Sequence, residues 1–218
     1  FDPPLPASKI AALDRIENGP ISKVVLRFDR RFWPSDMSLL GNPGRQRRAG
    51  RSYFVPLYGA VSLPGGASSA ILTALFNGNE ARELDRRMSG RAEGDSGGGL
   101  PATVRARVDD YVRRNIMADL DEIFPGSAGF LTGWRVRSWA NDPFTIGGTS
   151  FIRFEAGGRS RDAATVRQAL ADHLPTLPLY WAGEACALGT NPWSVHGAHQ
   201  SGRAAARNVH AYLELPTG

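Results

Sequence analysis

Apolar and polar positions along the chain change their spacing several times, and each change marks an element. From Ile21 to Phe28 the pattern alternates: Ile21, Lys23, Val25 and Arg27 share one face, and Ser22, Val24, Leu26 and Phe28 the other, as in a strand. Further strands are expected at Tyr53–Tyr58, Ala70–Phe76, Leu131–Trp139, Thr149–Phe154 and, as a short apolar run, Leu177–Ala182. Helical spacing governs Ser8–Asn18, where Ser8 caps, Ile10, Leu13 and Ile16 recur, and Gly19-Pro20 stops the element. It returns at about Asn79–Met88 and again at Ala102–Ile123. There Val104, Val108, Val112 (or Tyr111), Ile116, Leu120 and Ile123 line one face. Asp162–His173 and Ser194–Leu213 complete the helices, and Gly90–Pro101 is a glycine-rich loop. No repeat occurs, and helices mixed with several sheet segments make the fold class mixed α/β.

The chain's 218 residues, 42% of them hydrophobic, suffice for one or two domains with real cores. No run approaches the roughly 18 to 20 apolar residues of a membrane span, and no charged-then-apolar leader is visible. A cytoplasmic, membrane-free setting is therefore expected. One cysteine, Cys186, rules out an internal disulfide and fits a reducing compartment. The chain opens Phe1-Asp2-Pro3-Pro4 rather than with methionine, which reads as a piece of a longer polypeptide or a processed subunit. Net charge is +5, but nucleic-acid binding would need a basic face interleaved with aromatics. The densest cluster, Arg45, Arg47, Arg48 and Arg51, reads as a solvated loop instead. Of 26 basic residues all but Lys9 and Lys23 are arginine. That bias suits a GC-rich, bacterial coding sequence and makes the place of either lysine informative.

Three motifs dissolve on inspection. Gly94-Asp95-Ser96-Gly97-Gly98 spells the nucleophile pentapeptide of trypsin-like proteases, but His173, His196, His199 and His210 all follow Ser96, whereas that chemistry has its base and carboxylate earlier in the chain. His196 and His199 have a metal-compatible spacing but no carboxylate on adjoining turns, so no metal is expected. No G-x-G-x-x-G joins a strand to a helix, so these residues alone cannot form the usual pyrophosphate-binding turn.

The richest stretch is Leu179–Arg207. An apolar segment ends in Gly183-Glu184, where a small residue lets a ligand approach the backbone and a carboxylate can accept hydroxyl hydrogen bonds. A loop leads to Ser194 as helix cap. Gly197, Ala198, Ser201 and Gly202 then let the first turns pack closely, with the helix's positive end facing any negative charge. This stretch, Ala182-Gly-Glu184 followed by Val195-His-Gly-Ala198 and Ser201-Gly202, resembles the C-terminal signature of the flavin-containing amine oxidases. That family includes monoamine and polyamine oxidases, L-amino-acid oxidases and lysine-specific histone demethylases. Two earlier blocks match in order: Pro3-Pro-Leu-Pro6 with Gly19-Pro-Ile-Ser-Lys-Val-Val-Leu-Arg-Phe28 and Phe32-Trp33-Pro34, then Trp139-Ala-Asn-Asp-Pro143 with Gly147-Gly-Thr-Ser150.

The resemblance implies a C-terminal portion of the amine oxidase fold, an α+β substrate domain interleaved with an FAD-binding Rossmann-like domain. Residues 1–18 would belong to the FAD domain, 19–141 to the substrate domain and 142–218 again to the FAD domain. Lys23 matches the lysine that holds a water at flavin N5. Gly183 and Glu184 match the ribityl or ribose side, Ser194 and Val195 the pyrimidine edge, and Trp139 a ring packed beside the flavin. Where relatives build an aromatic cage, this chain has Thr149 and Ser194, with Trp193 displaced by one position as a substitute, which implies a bulkier or more polar amine. Gly148 stands where covalent relatives have cysteine, so FAD is expected to be non-covalent. The implied reaction oxidises an amine to an imine and reduces O2 to H2O2. The partners would be an N-terminal FAD-binding half in the same or another chain, the amine, O2 and a further copy of the protein. Two alternatives remain at this point: a protoporphyrinogen-oxidase-type flavoprotein, against which Lys23 argues, and a non-catalytic fragment or partner subunit.

Overall fold

The computed structural model describes residues 1–42, 51–54, 70–153, 160–174, 177–189 and 192–214; Arg45, Arg47 and Arg48 and the distal part of the strand expected at Tyr53–Tyr58 lie outside the described residues. In chain order the elements begin with α1 (Ala7–Leu13), β1 (Ile16–Gly19), β2 (Ile21–Phe28), β3 (Leu39–Asn42), β4 (Arg51–Phe54), β5 (Ala70–Asn77), α2 (Gly78–Met88) and β6 (Glu93–Asp95). Then follow α3 (Ala102–Tyr111), a wider π turn (Val112–Met117), α4 (Ala118–Ile123), β7 (Leu131–Ser138), β8 (Thr149–Ile152), α5 (Ser160–Ala171) and α6 (Val195–Leu213). The mixed helix-and-sheet class is the observed one. Two compact units form, Pro20–Gly148 and a second in which Phe1–Gly19 joins Thr149–Gly218. Among the described residues no helix is long and apolar enough to cross a membrane.

The unit Pro20–Gly148 is built on an antiparallel sheet ordered β3-β4-β5-β2-β7-β6. Alternation decides its two faces. Val24, Leu26 and Phe28 of β2, Leu72, Ala74 and Phe76 of β5, and Trp134 and Val136 of β7 point into a core closed by Leu84, Met88, Val108, Ile116 and Leu120 of the helices. Buried this fully, each Val, Leu, Ile, Phe or Met among them contributes roughly 1.5 to 3 kcal/mol. Lys23 and Arg27 stay exposed on the opposite face. The long helix expected at 102–123 is present but widens through its π turn. Tyr111 and Val112, three and four residues after Val108, both face inward, and Ile123 in the last turn is 38% exposed. Within the Gly90–Pro101 loop, β6 pairs with β7, and a side chain at Gly94 would strike Leu100 at 2.5 Å. Ser96 is tied to the same edge: its Oγ accepts the Trp134 N–H at 3.0 Å and its own N–H donates to the Trp134 carbonyl.

The second unit corrects two expectations. The helix expected over Ser8–Asn18 ends at Leu13, because Ile16–Gly19 pairs instead with Thr149–Ile152 as a two-stranded antiparallel ladder. A partner strand outweighs local helical spacing. The buried residues of α1 are Lys9 and Ala12, while Ile10 and Leu13 are solvent-exposed. The strand expected at Leu177–Ala182 is absent, since none of the described residues pairs with that segment, and an extended run without a ladder partner is not a strand. The apolar core of this unit is small: Ala12, Ile152, Val166, Leu170 and Cys186, with Ile16 and Trp181 against it.

Candidate functional site

In the unit Pro20–Gly148 the fold brings Lys23 and Trp139 together. Lys23 sits on the open face of β2, and Trp139 follows the last residue of β7, where its N–H donates to the Ile21 carbonyl at 3.1 Å. The Lys23 ammonium lies 5.3 Å from the centre of the Trp139 ring, a cation–π contact that orients the charge without neutralising it. Directly across the ladder from Lys23 is Arg137. Its charge is taken up by Glu93 and by Asp142, and its guanidinium also lies 5.9 Å from the Trp139 ring. Lys23 has no carboxylate partner among the described residues. Gly148 packs so closely on Ile21 that an added Cβ would sit 2.5 Å from the Ile21 side chain.

In the other unit, Glu184 is a hub. Its Oε1 accepts the Ser150 N–H at 2.7 Å, and its Oε2 accepts the Ser150 hydroxyl at 2.9 Å and the Trp193 N–H at 3.1 Å. Behind it stands Arg167 of α5, 5% exposed, which donates to the Ser150 hydroxyl at 3.0 Å and to the Ala185 carbonyl at 2.9 Å. Burial pulls the Arg167 pKa down, while the Glu184 charge opposes that shift. Trp193 is held in a left-handed backbone conformation, φ +66°, which a bulky residue rarely adopts. Its indole N–H donates to the Ser150 carbonyl and its ring lies 5.8 Å from the Arg167 guanidinium. Trp193, Phe151, Ile152, Leu188, Pro192 and Arg167 border a largely apolar cavity of ≈ 790 Å³. Thr149 opens β8 opposite Gly19.

Ser194 caps α6 as its sequence position suggests, its hydroxyl accepting the Gly197 N–H at 3.0 Å. The N–H groups of Val195 and His196, in the first turn, have no acceptor among the described residues, and Val195 is 86% exposed. Gly183, at φ +125°, takes a conformation open to glycine, and the position a side chain would occupy is empty. Ser201 links it to α6, its Oγ accepting the Gly183 N–H at 3.0 Å and lying 2.7 Å from the Gly183 carbonyl. Gly197 and Ser201 form the buried face of α6. Cys186 is a buried core residue whose thiol pKa is pushed up by burial. No group of three potential metal ligands converges among the described residues.

Arg167 and Arg137 carry no signal in the sequence, and Ser150 stands there only as the end of the Gly147-Gly-Thr-Ser150 motif, with no role of its own. Arg167 sits beside the apolar positions Val166 and Leu170 of α5, where an arginine reads as the solvated edge of a helix until its partners are known.

Comparison with known proteins matches residues 1–94 and 99–210 to a family model described as flavin containing amine oxidoreductase. A possible lysine-specific histone demethylase 1 from Drosophila melanogaster is 32% identical over 223 residues, covering 100% of this chain and 22% of that protein. Polyamine oxidase 4 of Oryza sativa subsp. japonica is 29% identical, covering 100% of this chain and 37% of its own length. Among solved structures, cyclohexylamine oxidase from Brevibacterium oxydans IH-35A superposes with a TM-score of 0.59 at 15% identity, covering 98% of this chain and 40% of that one. An engineered putrescine oxidase gives 0.60 at 17% identity, covering 97% and 39%. The chain thus spans well under half the length of these relatives.

Proposed function

The chain belongs to the flavin-containing amine oxidoreductases, and from that membership we propose that it forms the C-terminal part of an FAD-dependent amine oxidase. In this reading Pro20–Gly148 is the substrate unit, and the unit of Phe1–Gly19 with Thr149–Gly218 belongs to the FAD domain. The observation that carries the reading is the Lys23–Trp139 pair. Two motif residues far apart in sequence meet on an open sheet face, and the lysine keeps its charge unpaired among the described residues.

The residues present suit the ring and ribityl portions of the cofactor. Val195 and His196 would present unsatisfied N–H groups and a positive helix end to the flavin's pyrimidine edge. Gly183 leaves its backbone approachable. A carboxylate has about four lone-pair sites; Glu184 spends three on Ser150 and Trp193, leaving room for one cofactor hydroxyl. No glycine-rich turn for the pyrophosphate exists in the sequence, so that portion would be held by another segment of the same polypeptide or a partner chain. When bound, the flavin supplies hydride acceptance from the carbon beside an amine nitrogen and passes the electrons to O2, giving an imine and H2O2.

The chain's own residues then have separable tasks. Lys23 holds a water and stabilises negative charge developing on oxygen, for which a compact ammonium is suited. Trp139 orients that ammonium. Arg137, already committed to Glu93 and Asp142, does not compete for the same water. Thr149, Ser194 and the anchored Trp193 leave the amine site without a paired aromatic cage and favour a bulky or polar amine. The close packing of Gly148 on Ile21 leaves no room for a cysteine there, which supports non-covalent FAD.

The experiment is purification of the chain together with the segment bearing the glycine-rich turn, followed by a flavin spectrum, acid precipitation and peroxide assay on an amine panel. The expected result is one flavin per protein, released into the acid supernatant, with peroxide formed on at least one amine. A flavin-bound protein inert to every amine would contradict the oxidase reading, and colour remaining in the pellet would contradict the non-covalent one.

A further inference from the structure

Beneath Lys23 and Trp139, on the hidden side of the sheet, lies a buried carboxylate with no part in the chemistry above. Ser22 and Ser138 are cross-strand partners on β2 and β7, and neither is exposed. Both hydroxyls donate to the same oxygen, Oδ1 of Asp85 on α2, at 2.8 and 2.6 Å. Asp85 itself is 9% exposed. Lys23 is the residue after Ser22, and Trp139 the residue after Ser138. Asn141 extends the network: its N–H donates to Ser138 Oγ at 3.2 Å, and its side-chain amide donates to the carbonyls of Asp85 and Arg91, each at 3.2 Å. The turn that carries Trp139 is therefore tied to the last turn of α2 at the Asp85 carbonyl, to the segment after that helix at the Arg91 carbonyl, and to β2 through one carboxylate.

Such a network is not the cheapest way to fill a core. A buried carboxylate carries a desolvation cost, and apolar groups of the same shape often serve stability as well. What hydroxyls converging on one oxygen supply is a single fixed geometry. Resting on the reading that Lys23 faces the flavin, we propose that Asp85 is a positioning residue. Through Ser22 and Ser138 it sets how β2 and β7 meet where Lys23 and Trp139 leave the sheet, so it governs oxygen reactivity only by way of Lys23.

Two substitutions separate the possibilities. Asp85→Asn keeps an acceptor oxygen for both hydroxyls, whereas Asp85→Leu removes it. Without flavin, amide hydrogen exchange of the full chain should be about tenfold faster at Trp139 in Asp85→Leu, unchanged at Leu26, and near wild type in Asp85→Asn. In the flavin-loaded enzyme, the rate constant for reaction of the reduced form with O2 should fall about tenfold in Asp85→Leu, at unchanged flavin content, and recover in Asp85→Asn. Placed on Lys23→Met, Asp85→Leu should cause no further loss. An equal loss in both backgrounds would show a general structural role and overturn the proposal. Unchanged exchange and oxygen rates in Asp85→Leu, with Lys23→Met still slow, would sink the Asp85 assignment alone. A normal rate in Lys23→Met would remove the reading beneath it as well. Should Asp85→Leu fail to fold, Ser138→Ala deletes one donor and should shift both readouts in the same direction by about threefold; no shift would refute the proposal.

Discussion

The chain's two lysines occupy opposite surroundings. Lys9 is 1% exposed, and its ammonium donates to the carbonyls of Ala169, Leu170 and Asp172 at 2.8, 2.7 and 2.6 Å, closing the C-terminal end of α5. Lys23 stands on an open sheet face with the Trp139 ring beside it. The first spends all three protons on backbone, and the second keeps its charge available. The same contrast runs through the two units. Pro20–Gly148 is held by a deep apolar core between sheet and helices, whereas the other unit has a small apolar core and is stitched by the buried cations Lys9 and Arg167. Cationic side chains that donate to carbonyls can hold a thin layer together, but each is costly to remove.

The contrast breaks most readily at Arg167. Arg167→Met leaves Glu184 without its buried counter-charge and frees the Ser150 and Ala185 acceptors, at a cost on the order of 3 to 5 kcal/mol. Denaturant unfolding followed through amides of α5 and β8 should register this loss, with little change in β2 and β5. A loss below about 1 kcal/mol would mean that the guanidinium is not a stitch. Lys9→Met comes next. It keeps the aliphatic stem but strands three carbonyls, for a loss of roughly 2 to 3 kcal/mol confined to the same unit. Equal loss in both units would erase the distinction drawn here.

Much of this was legible beforehand, and the boundary has a physical cause. The alternation in Ile21–Phe28 encodes both the strand and its faces, because one side must meet a core. Ser194 announces the start of α6 because capping is a local hydrogen bond. Ile16–Gly19 and Leu177–Ala182 were misread because strand formation depends on a partner elsewhere in the chain. Within α1 the apolar spacing pointed to Ile10 and Leu13, while the fold buries Lys9. No local rule foretells that an ammonium will meet three carbonyls from a helix more than a hundred residues away. Lys23 and Trp139 were legible as motif residues, but their contact was not, nor was the carboxylate beneath them.

A smaller effect sharpens the lysine comparison through pH. Burial lowers the Lys9 pKa, so the unfolded chain binds this proton more tightly than the folded one. Where the unfolded state holds more protons, stability rises with pH. The wild type should therefore gain stability relative to Lys9→Met as pH climbs toward the ordinary lysine pKa of about 10.4. Parallel stability curves for the two proteins across that window would contradict the burial argument. The smallest effect is expected from Lys23→Met, which should change stability by no more than about 0.5 kcal/mol, as for most surface substitutions.

That near-silent substitution is also the most direct probe of function. In the complete flavin-loaded enzyme, Lys23→Met should bind flavin normally and be reduced by amine, yet its reduced form should react with O2 at least about tenfold more slowly, a barrier higher by about 1.4 kcal/mol. Stopped-flow mixing of the reduced protein with oxygenated buffer measures this. A tenfold or greater slowing at unchanged flavin content is the predicted result, and a rate within about twofold of wild type would contradict the assignment of Lys23.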